Sequence, residues 1–278
     1  MDGAARMNVR APLAKRVAKR WIRRLFAAGS RAASPFGKPP LPGIRILTYH
    51  RVATDSFDPF TIAPEDFRKQ MEVLASSEDV VSLGQALRRM EGTGPLGTCV
   101  VLTFDDGTSD FLSAAWPVLR RLRLPATIYV NPSRVGKAGF LGWEDLRLLR
   151  DEGVEVGSHS LEHCSLGPLS AEAVRHQVRE SRDILERQLS RPVDSLAYPY
   201  GTLRDFNSLV KSELTNAGYR SACTSINGMN RRGADPLALR RTKIEQGDTP
   251  IFCWILRGCL DAWSFVDLHL SGIQNRYA

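Results

Sequence analysis

The chain has 278 residues, of which 43% are hydrophobic and 24% are charged, a composition typical of a soluble globular protein with room for one large domain. Its net charge of +8 would favour nucleic-acid binding if it were spread over the chain, but residues 1–40 hold ten of the 38 basic and one of the 30 acidic residues. The remaining 28 basic and 29 acidic residues nearly cancel, so the body of the protein is close to neutral and a nucleic-acid partner is not expected.

Residues 1–33 are predicted to form a cationic amphipathic leader helix. Apolar residues recur at every fourth position, at Leu13, Val17, Trp21 and Leu25. Most lysines and arginines fall on the other faces, a pattern that favours attachment to an anionic membrane surface through residues 10–27. Trp21, Leu25 and Phe26 are then the residues expected to insert. A poorly ordered basic tail and a transit peptide are alternative interpretations.

The leader contains no apolar run long enough for a signal-peptide core or a membrane span. The predicted location is therefore cytoplasmic, or peripheral on the inner face of the membrane. Residues 34–43 are rich in proline and glycine and predict an extended linker, after which residues 44–278 form one folded domain. The five cysteines form no CxxC pair, so buried thiols in a reducing compartment are expected rather than disulfides.

Apolar β-branched runs alternate with amphipathic helical patterns along the folded domain. The predicted strands are residues 44–49, 98–104, 126–130, 153–157, 193–197, 219–224 and 239–245. The predicted helices between them are residues 64–74, 82–90, 110–122, 143–150, 170–190 and 205–217. This alternation predicts a parallel sheet or barrel, with its chemistry at the C-terminal ends of the strands.

Two adjacent carboxylates, Asp105 and Asp106, follow one of these strands and precede Gly107. Like charges held this close raise each other's proton affinity unless a cation lies beside them. The pair therefore favours a metal site in which one carboxylate ligates the ion and the other handles protons. An ordinary Asp-Gly turn is the alternative.

Three of the five histidines fall at predicted strand ends, the same kind of position as the carboxylates. His159 and His163 are four residues apart, close enough on a helix face or tight turn to bind one metal. His50 ends the first strand, where a backbone hydrogen bond is a sufficient alternative role. Residues 198–201 (YPYG) form a rigid aromatic turn suited to a sugar face or to packing.

The order of three motifs, residues 103–107 (TFDDG), 159–163 (HSLEH) and 198–201 (YPYG), resembles the polysaccharide deacetylase family with the NodB homology domain, grouped with carbohydrate esterase family 4. The resemblance covers roughly residues 44–245 and implies a distorted (β/α) barrel of about seven strands. It also implies a metal-dependent hydrolase of cell-envelope carbohydrate metabolism that removes N-acetyl groups from an amino sugar in a polysaccharide, oligosaccharide or glycolipid and releases acetate.

The resemblance assigns roles residue by residue. Asp106, His159 and His163 would hold a divalent metal, most often Zn²⁺, with Co²⁺ or Ni²⁺ as alternatives. Asp105 would be the general base that takes a proton from the attacking water. The backbone N–H of Tyr200 would stabilise the tetrahedral oxyanion.

Two positions depart from the common family pattern. Many members carry an arginine two residues before the proline of the aromatic turn, where this chain has Ala197, and Arg240 or Arg241 are candidate replacements. Many also carry the acid histidine in a late motif, which His269 matches only weakly. A branch resembling poly-N-acetylglucosamine deacetylases has a Tyr-His step on the first strand instead, so His50 is assigned the general-acid role and His269 is kept as the alternative.

Two other functions fit parts of the pattern. The missing arginine would suit a catalytically impaired carbohydrate-binding barrel, whereas the retained base and ligands favour an enzyme. A deacylase acting on another amide or on an O-acetyl ester would use the same residues. The expected partner is an N-acetylated glycan or glycolipid. The lack of a recognisable export signal favours a substrate at the cytoplasmic face, such as a lipid-linked sugar, or else a start codon placed too far downstream.

Overall fold

The computed structural model describes residues 13–33, 42–54 and 58–269. Its helices are α1 (Leu13–Ala33), α2 (Pro64–Ser77), α3 (Leu83–Glu91), α4 (Trp116–Leu122), α5 (Trp143–Asp151), α6 (Ala171–Leu189), α7 (Ser208–Ala217), α8 (Phe252–Leu256) and α9 (Ser264–His269). Its strands are β1 (Gly43–Tyr49), β2 (Arg51–Val52), β3 (Thr61–Ile62), β4 (Thr98–Phe104), β5 (Thr127–Val130), β6 (Glu155–Ser158), β7 (Ser195–Ala197), β8 (Ser221–Cys223) and β9 (Arg241–Lys243).

Seven of the strands that the structure describes form one parallel sheet in the order β8-β7-β6-β5-β4-β1-β9. The edge strands β8 and β9 approach each other where Thr224 N–H donates to the carbonyl of Leu239 at 2.8 Å. The sheet is therefore nearly closed, and the predicted distorted (β/α) barrel is confirmed. Strands β2 and β3 form a separate small parallel pair.

Alternate residues of β1 face two different cores, as expected for a strand covered on both sides. Ile44 and Ile46 point into the barrel and pack with residues of α3, which closes its N-terminal end. Leu47 and Tyr49 point outward and belong to the larger core shared with α2. The barrel interior is thus apolar at the bottom, and it becomes polar toward the C-terminal ends of the strands, where Thr48 contacts other polar groups.

Most predicted elements are present, with shorter strands toward the C-terminus. Strand β4 has the predicted bounds, whereas the strand predicted over residues 239–245 is reduced to the three residues of β9. Gly43 begins β1 and does not belong to the linker, and residues 1–12 and 34–41 lie outside the described residues. The helix predicted from Asp110 starts with a π-helical turn, after which Pro117, which has no N–H to donate, stands in the first turn of α4.

Helix α1 docks on the barrel through its basic side. The Arg23 side chain is 1% exposed and pairs with Asp248 at 2.7 Å and with Glu245 at 3.2 Å. Lys19 Nζ also contacts Glu245, at 2.9 Å. Phe26, expected to insert into a membrane, instead packs edge-on against Trp263 with ring centroids 5.5 Å apart. The basic face of α1 therefore makes most of its contacts with acidic residues of the protein itself.

The apolar side of α1 faces solvent. Val17, Trp21, Ile22 and Leu25 are 43%, 57%, 54% and 68% exposed. No helix in the described part of the chain is long and apolar enough to cross a membrane. All five cysteines are free. Cys99 and Cys223 are buried as expected, whereas Cys164 and Cys259 are half-buried and Cys253 is exposed, so the expectation of buried thiols fails at these three positions.

Candidate active site

The chemically reactive side chains meet at the C-terminal ends of the parallel strands. His50 directly follows β1, Asp105 and Asp106 follow β4, and His159 follows β6. Because parallel strands end at the same rim of a barrel, residues distant in sequence converge there. The backbone N–H of Asp105 donates to the carbonyl of Tyr49 at 3.0 Å, which fixes the end of β4 beside the end of β1.

Asp106, His159 and His163 form a cluster suited to one metal ion. They offer one ligand atom each, and these atoms lie within 4.8 Å of one another. Oδ1 of Asp106 is 3.2 Å from Nε2 of His163 and 3.7 Å from Nε2 of His159. Two ligand atoms of a tetrahedral Zn²⁺ site lie about 3.4 Å apart, since each is about 2.1 Å from the ion. The donor set and its spacing therefore fit a divalent cation with three protein ligands.

The orientation of His159 supports this use of its ring. Nδ1 lies 2.7 Å from the carbonyl oxygen of Ala197, and because a carbonyl only accepts, Nδ1 carries the proton and donates. Nε2 then has a free lone pair aimed at Asp106. Burial lowers the pKa of His159 to about 4, so the ring is neutral near pH 7 and available as a ligand.

The two loops that carry the candidate metal ligands, one after β4 and one after β6, have backbone conformations that most residues avoid. Asp106 and His163 have φ values of 73° and 58°. Gly107 also has a positive φ, of 68°, and a Cβ at this position would lie 3.2 Å from Cγ1 of Val130. The side-chain amide of Asn131 donates to the carbonyls of His159 and Ser160, which holds the second loop against β5. Left-handed non-glycine residues of this kind are typical of functional sites, where the surrounding structure compensates the strain.

Asp105 is held by a buried arginine. Its side chain is 4% exposed, and Nη1 and Nη2 of Arg241 donate to its two oxygens, each at 2.7 Å. Nε of the same guanidinium donates to the carbonyl of Thr224 at 2.8 Å. Arg241, and not Arg240, therefore supplies the cation that is missing at Ala197.

The charge state of Asp105 follows from this pairing. Burial alone raises the pKa of the Asp105 carboxyl, but the charge of Arg241 and its hydrogen bonds outweigh that effect and hold the pKa below its usual value. Asp105 is therefore ionised at neutral pH and can accept a proton.

His50 lies beside Asp105, whereas His269 lies elsewhere. Nε2 of His50 is 3.9 Å from Oδ2 of Asp105, and the side chain is 21% exposed. His269 is exposed near the end of α9, where its ring packs against Phe265 with centroids 4.3 Å apart. Of the two candidate acids, the structure brings His50 to the rim that carries Asp105.

The two tyrosines of the aromatic turn have different surroundings. Tyr198 is buried, stacks on Phe206 and donates its hydroxyl to the carbonyl of Leu237, so it is a packing residue. Tyr200 is 41% exposed, has a φ of 62°, and its ring lies edge-on to His163 at 5.2 Å. Its position next to a candidate metal ligand puts its backbone and ring at the mouth of the site.

A family model described as polysaccharide deacetylase matches residues 94–222. Among curated proteins, the chain is 24% identical over 204 residues to the putative polysaccharide deacetylase YxkH of Bacillus subtilis, covering 73% of this chain and 71% of that protein. It is 23% identical over 189 residues to a poly-beta-1,6-N-acetyl-D-glucosamine N-deacetylase of Staphylococcus aureus, covering 57% of this chain and 65% of that protein.

Among solved structures, the fold is similar to that of the Streptococcus pyogenes deacetylase PplD in complex with acetate. The TM-score is 0.72 at 23% sequence identity, and the match covers 78% of this chain and 99% of PplD. At this identity the similarity concerns the fold of the barrel.

Proposed function

We propose that the protein is a metal-dependent hydrolase that removes N-acetyl groups from an amino sugar and releases acetate. The premise is the match of residues 94–222, which contain all three motifs, to the polysaccharide deacetylase family model. The proposal rests mainly on two neighbouring groups. Asp105 is an ionised carboxylate held by Arg241, and the next residue, Asp106, forms a cluster with His159 and His163 that could hold a metal ion. A general base beside a three-ligand metal site is the arrangement needed for metal-assisted amide hydrolysis.

Each residue at the barrel mouth has a distinct part in the proposed reaction. Asp106, His159 and His163 would hold a divalent metal, most simply Zn²⁺, with Co²⁺ or Ni²⁺ as alternatives, and the metal would supply an activated water and polarise the acetamide carbonyl. Asp105 accepts the proton of the attacking water, and Arg241 keeps this carboxylate ionised and oriented.

The remaining two steps concern the oxyanion and the leaving group. The backbone N–H of Tyr200, next to His163, is proposed to donate to the tetrahedral oxyanion. His50 is proposed to protonate the departing amine, because it is the histidine on the Asp105 side of the mouth that is not needed as a ligand.

The proposed substrate is an N-acetylated amino sugar in a polysaccharide, oligosaccharide or glycolipid. The Staphylococcus aureus relative, described as a poly-beta-1,6-N-acetyl-D-glucosamine N-deacetylase, supports a glycan substrate. Another amide or an O-acetyl ester is an alternative substrate, because the same residues could hydrolyse it. The main argument for a catalytically impaired barrel was the absence of an arginine at Ala197. This argument is weakened, because Arg241 donates to Asp105 instead.

Metal removal tests the proposal directly. We expect a chelator to abolish acetate release from N-acetylated oligosaccharides and glycolipids, and Zn²⁺ or Co²⁺ to restore it, because the attacking water is not activated without the ion. Mass spectrometry of the sugars, which detects the loss of one acetyl group, is the measurement. Unchanged acetate release by the metal-free protein would falsify the metal-dependent mechanism. Sugar binding without acetate release by the metal-loaded protein would instead favour the impaired barrel.

We also propose that the protein associates peripherally with an anionic membrane through the exposed apolar side of α1, defined by Val17, Trp21, Ile22 and Leu25. Because Lys19 and Arg23 are paired with Glu245 and Asp248, insertion of the apolar side chains is expected to contribute more than contact of these two cations with headgroups.

Vesicle binding tests whether the exposed apolar side chains of α1 contribute to membrane association. The double substitution Trp21→Ser and Leu25→Ser is expected to weaken sedimentation with phosphatidylglycerol-containing vesicles by about tenfold or more, since burying one such side chain contributes about 1.5–3 kcal/mol. Leu148→Ser is a matched control, because Leu148 is 50% exposed on α5, away from α1. Equal binding of the wild-type protein and the double variant would remove the membrane proposal.

A further inference from the structure

The small β2–β3 sheet places an aromatic ring against His50. Arg51 pairs with Thr61 and Val52 pairs with Ile62 in parallel register. The residues that precede these strands, His50 and Phe60, are consequently opposite each other. Their rings stack with centroids 5.0 Å apart and an angle of 27° between the planes.

This stacking restrains the His50 ring, for which no hydrogen bond is found within the described part of the chain. Its Nδ1 is buried without a hydrogen-bond partner. Its Nε2 is 3.9 Å from Asp105, which is too long for a hydrogen bond. Since the described residues offer no hydrogen bond that fixes the imidazole plane, the flat face of Phe60 is a contact that can limit rotation of the ring.

Phe60 and the residue before it also contact other parts of the chain. Lys19 of α1 lies with its Nζ 5.7 Å from the centre of the Phe60 ring. The carbonyl of Pro59, the preceding residue, accepts a hydrogen bond of 2.8 Å from the backbone N–H of Gln246. The backbone N–H of Phe60 donates to the side chain of Asp58 at 3.0 Å.

The turn that holds Pro59 is itself anchored by α1. Asp248 accepts from the backbone N–H of Glu245 at 2.9 Å, which closes the turn over residues 245–248. Arg23 reaches this turn through Asp248, Glu245 and the carbonyl of Lys243, the last at 3.1 Å. Since β9 immediately precedes the turn, the same segment carries Arg241, which holds Asp105.

We propose that Phe60 is a positioning residue for His50 and that α1, through Lys19 and Arg23, keeps Phe60 in place. The proposal rests on the proposed deacetylase reaction and adds a residue that none of the three motifs contains. When the C–N bond of the tetrahedral adduct breaks, the electron pair stays on nitrogen, and a proton from His50 makes the leaving group a neutral amine. A misaligned imidazole transfers this proton poorly.

The leaving group provides a readout that a purely structural role does not affect. 4-Nitrophenyl acetate releases a phenolate that needs no proton, whereas an acetamido sugar releases an amine that does. In Phe60→Leu we expect kcat on the sugar to fall about tenfold to a hundredfold, with kcat on the ester within about twofold of wild type. Phe60→Tyr retains the ring and is expected to keep both activities, and Lys19→Met should lower only the amide activity, by less than Phe60→Leu.

His50→Ala separates the failure of this proposal from the failure of the acid assignment. It should lower amide turnover and spare ester turnover. If His50→Ala leaves amide turnover unchanged, the acid assignment under the proposed function is wrong. If His50→Ala behaves as expected but Phe60→Leu lowers both activities equally, or neither, Phe60 has no positioning role.

A measurement without substrate covers the case in which no acetylated sugar is turned over. Carbon-13 relaxation of the His50 ring in the metal-loaded protein should show larger-amplitude motion in Phe60→Leu and the wild-type amplitude in Phe60→Tyr. Wild-type amplitude in Phe60→Leu would overturn the proposal whatever the substrate.

Discussion

The substitution Asp105→Asn is expected to lower the turnover of N-acetylated substrates by about 10²–10⁴-fold while the protein keeps its divalent metal. An amide cannot accept the proton of the attacking water, whereas the three proposed ligands, Asp106, His159 and His163, are unchanged. Acetate release and metal content measured on the same preparation check the two halves of this expectation. Full activity in the variant would exclude Asp105 as the base.

A matched control is available at the neighbouring residue. Asp106→Asn should lose metal as well as activity, because its carboxylate lies within 3.7 Å of both histidine nitrogens. Asp105→Asn also leaves Arg241 buried without its anionic partner, which is expected to cost about 3–5 kcal/mol of unfolding free energy. Activity should therefore be measured well below the unfolding temperature of the variant, with urea unfolding as a check of its folded fraction.

The substitution Arg241→Met is the second change with a large expected effect. It removes both hydrogen bonds and the charge of Arg241 that hold the pKa of Asp105 down. Only His159 and His50 then oppose the effect of burial, so the pKa of this carboxyl is expected to rise. We expect kcat/KM near neutral pH to fall about a hundredfold, because less of the base is ionised and its orientation is no longer fixed.

The loss of kcat/KM in Arg241→Met should depend on pH, because it follows the ionisation of Asp105. In the wild-type protein the pKa of Asp105 lies below its usual value, so the base is ionised at neutral pH, and the ion pair's contribution to stability is lost only as the pH falls through that low pKa. In Arg241→Met the loss of activity should be greatest at acidic pH and should shrink as the pH rises through the raised pKa. A uniform loss at every pH would mean that orientation alone is affected.

Arg240→Met is the control for Arg241→Met. Arg240 precedes β9 and is exposed, so the side chain does not reach the barrel interior. We expect little change in kcat/KM for this variant at any pH. Equal losses in both variants would indicate a general disturbance of the β9 segment rather than removal of the contact with Asp105.

The main features of the barrel and the composition of the candidate site follow from local patterns. β4 was predicted with the observed bounds because residues 98–104 form an uninterrupted β-prone run that ends at two carboxylates. The two proposed histidine ligands, His159 and His163, are predicted from their spacing and their place after a strand. Such signals are contained within a few residues, so no tertiary information is needed to read them.

The residues that support the site could not be assigned in the same way. The choice between Arg240 and Arg241 depends on which face of β9 points into the barrel, and this is set by the pairing of Ile46 with Arg241, residues that are far apart in sequence. Phe60 was not predicted at all, since its position depends on the parallel register of two strands of two residues each. Strands this short give no periodic signal.

The amphipathic pattern of the leader predicts a helix but not the surface that the helix covers. Its cationic side was expected to face lipid headgroups, whereas Arg23 is buried against Asp248 and Glu245, more than 200 residues away in sequence. The choice between a membrane and an acidic turn as the partner of a basic helix face requires the tertiary fold, because both offer negative charge.

The docking of α1 has a consequence for proteolytic maturation. If the leader were a transit peptide removed after import, cleavage would uncover Glu245 and Asp248, which are 5% and 1% exposed in the presence of α1, together with the ring of Trp263 that Phe26 covers. The shortened chain would carry two neighbouring carboxylates without their cation and a newly exposed aromatic patch. Helix α1 thus packs as a structural part of the folded domain, and a protease that separates it from the barrel is expected to destabilise the turn over residues 245–248.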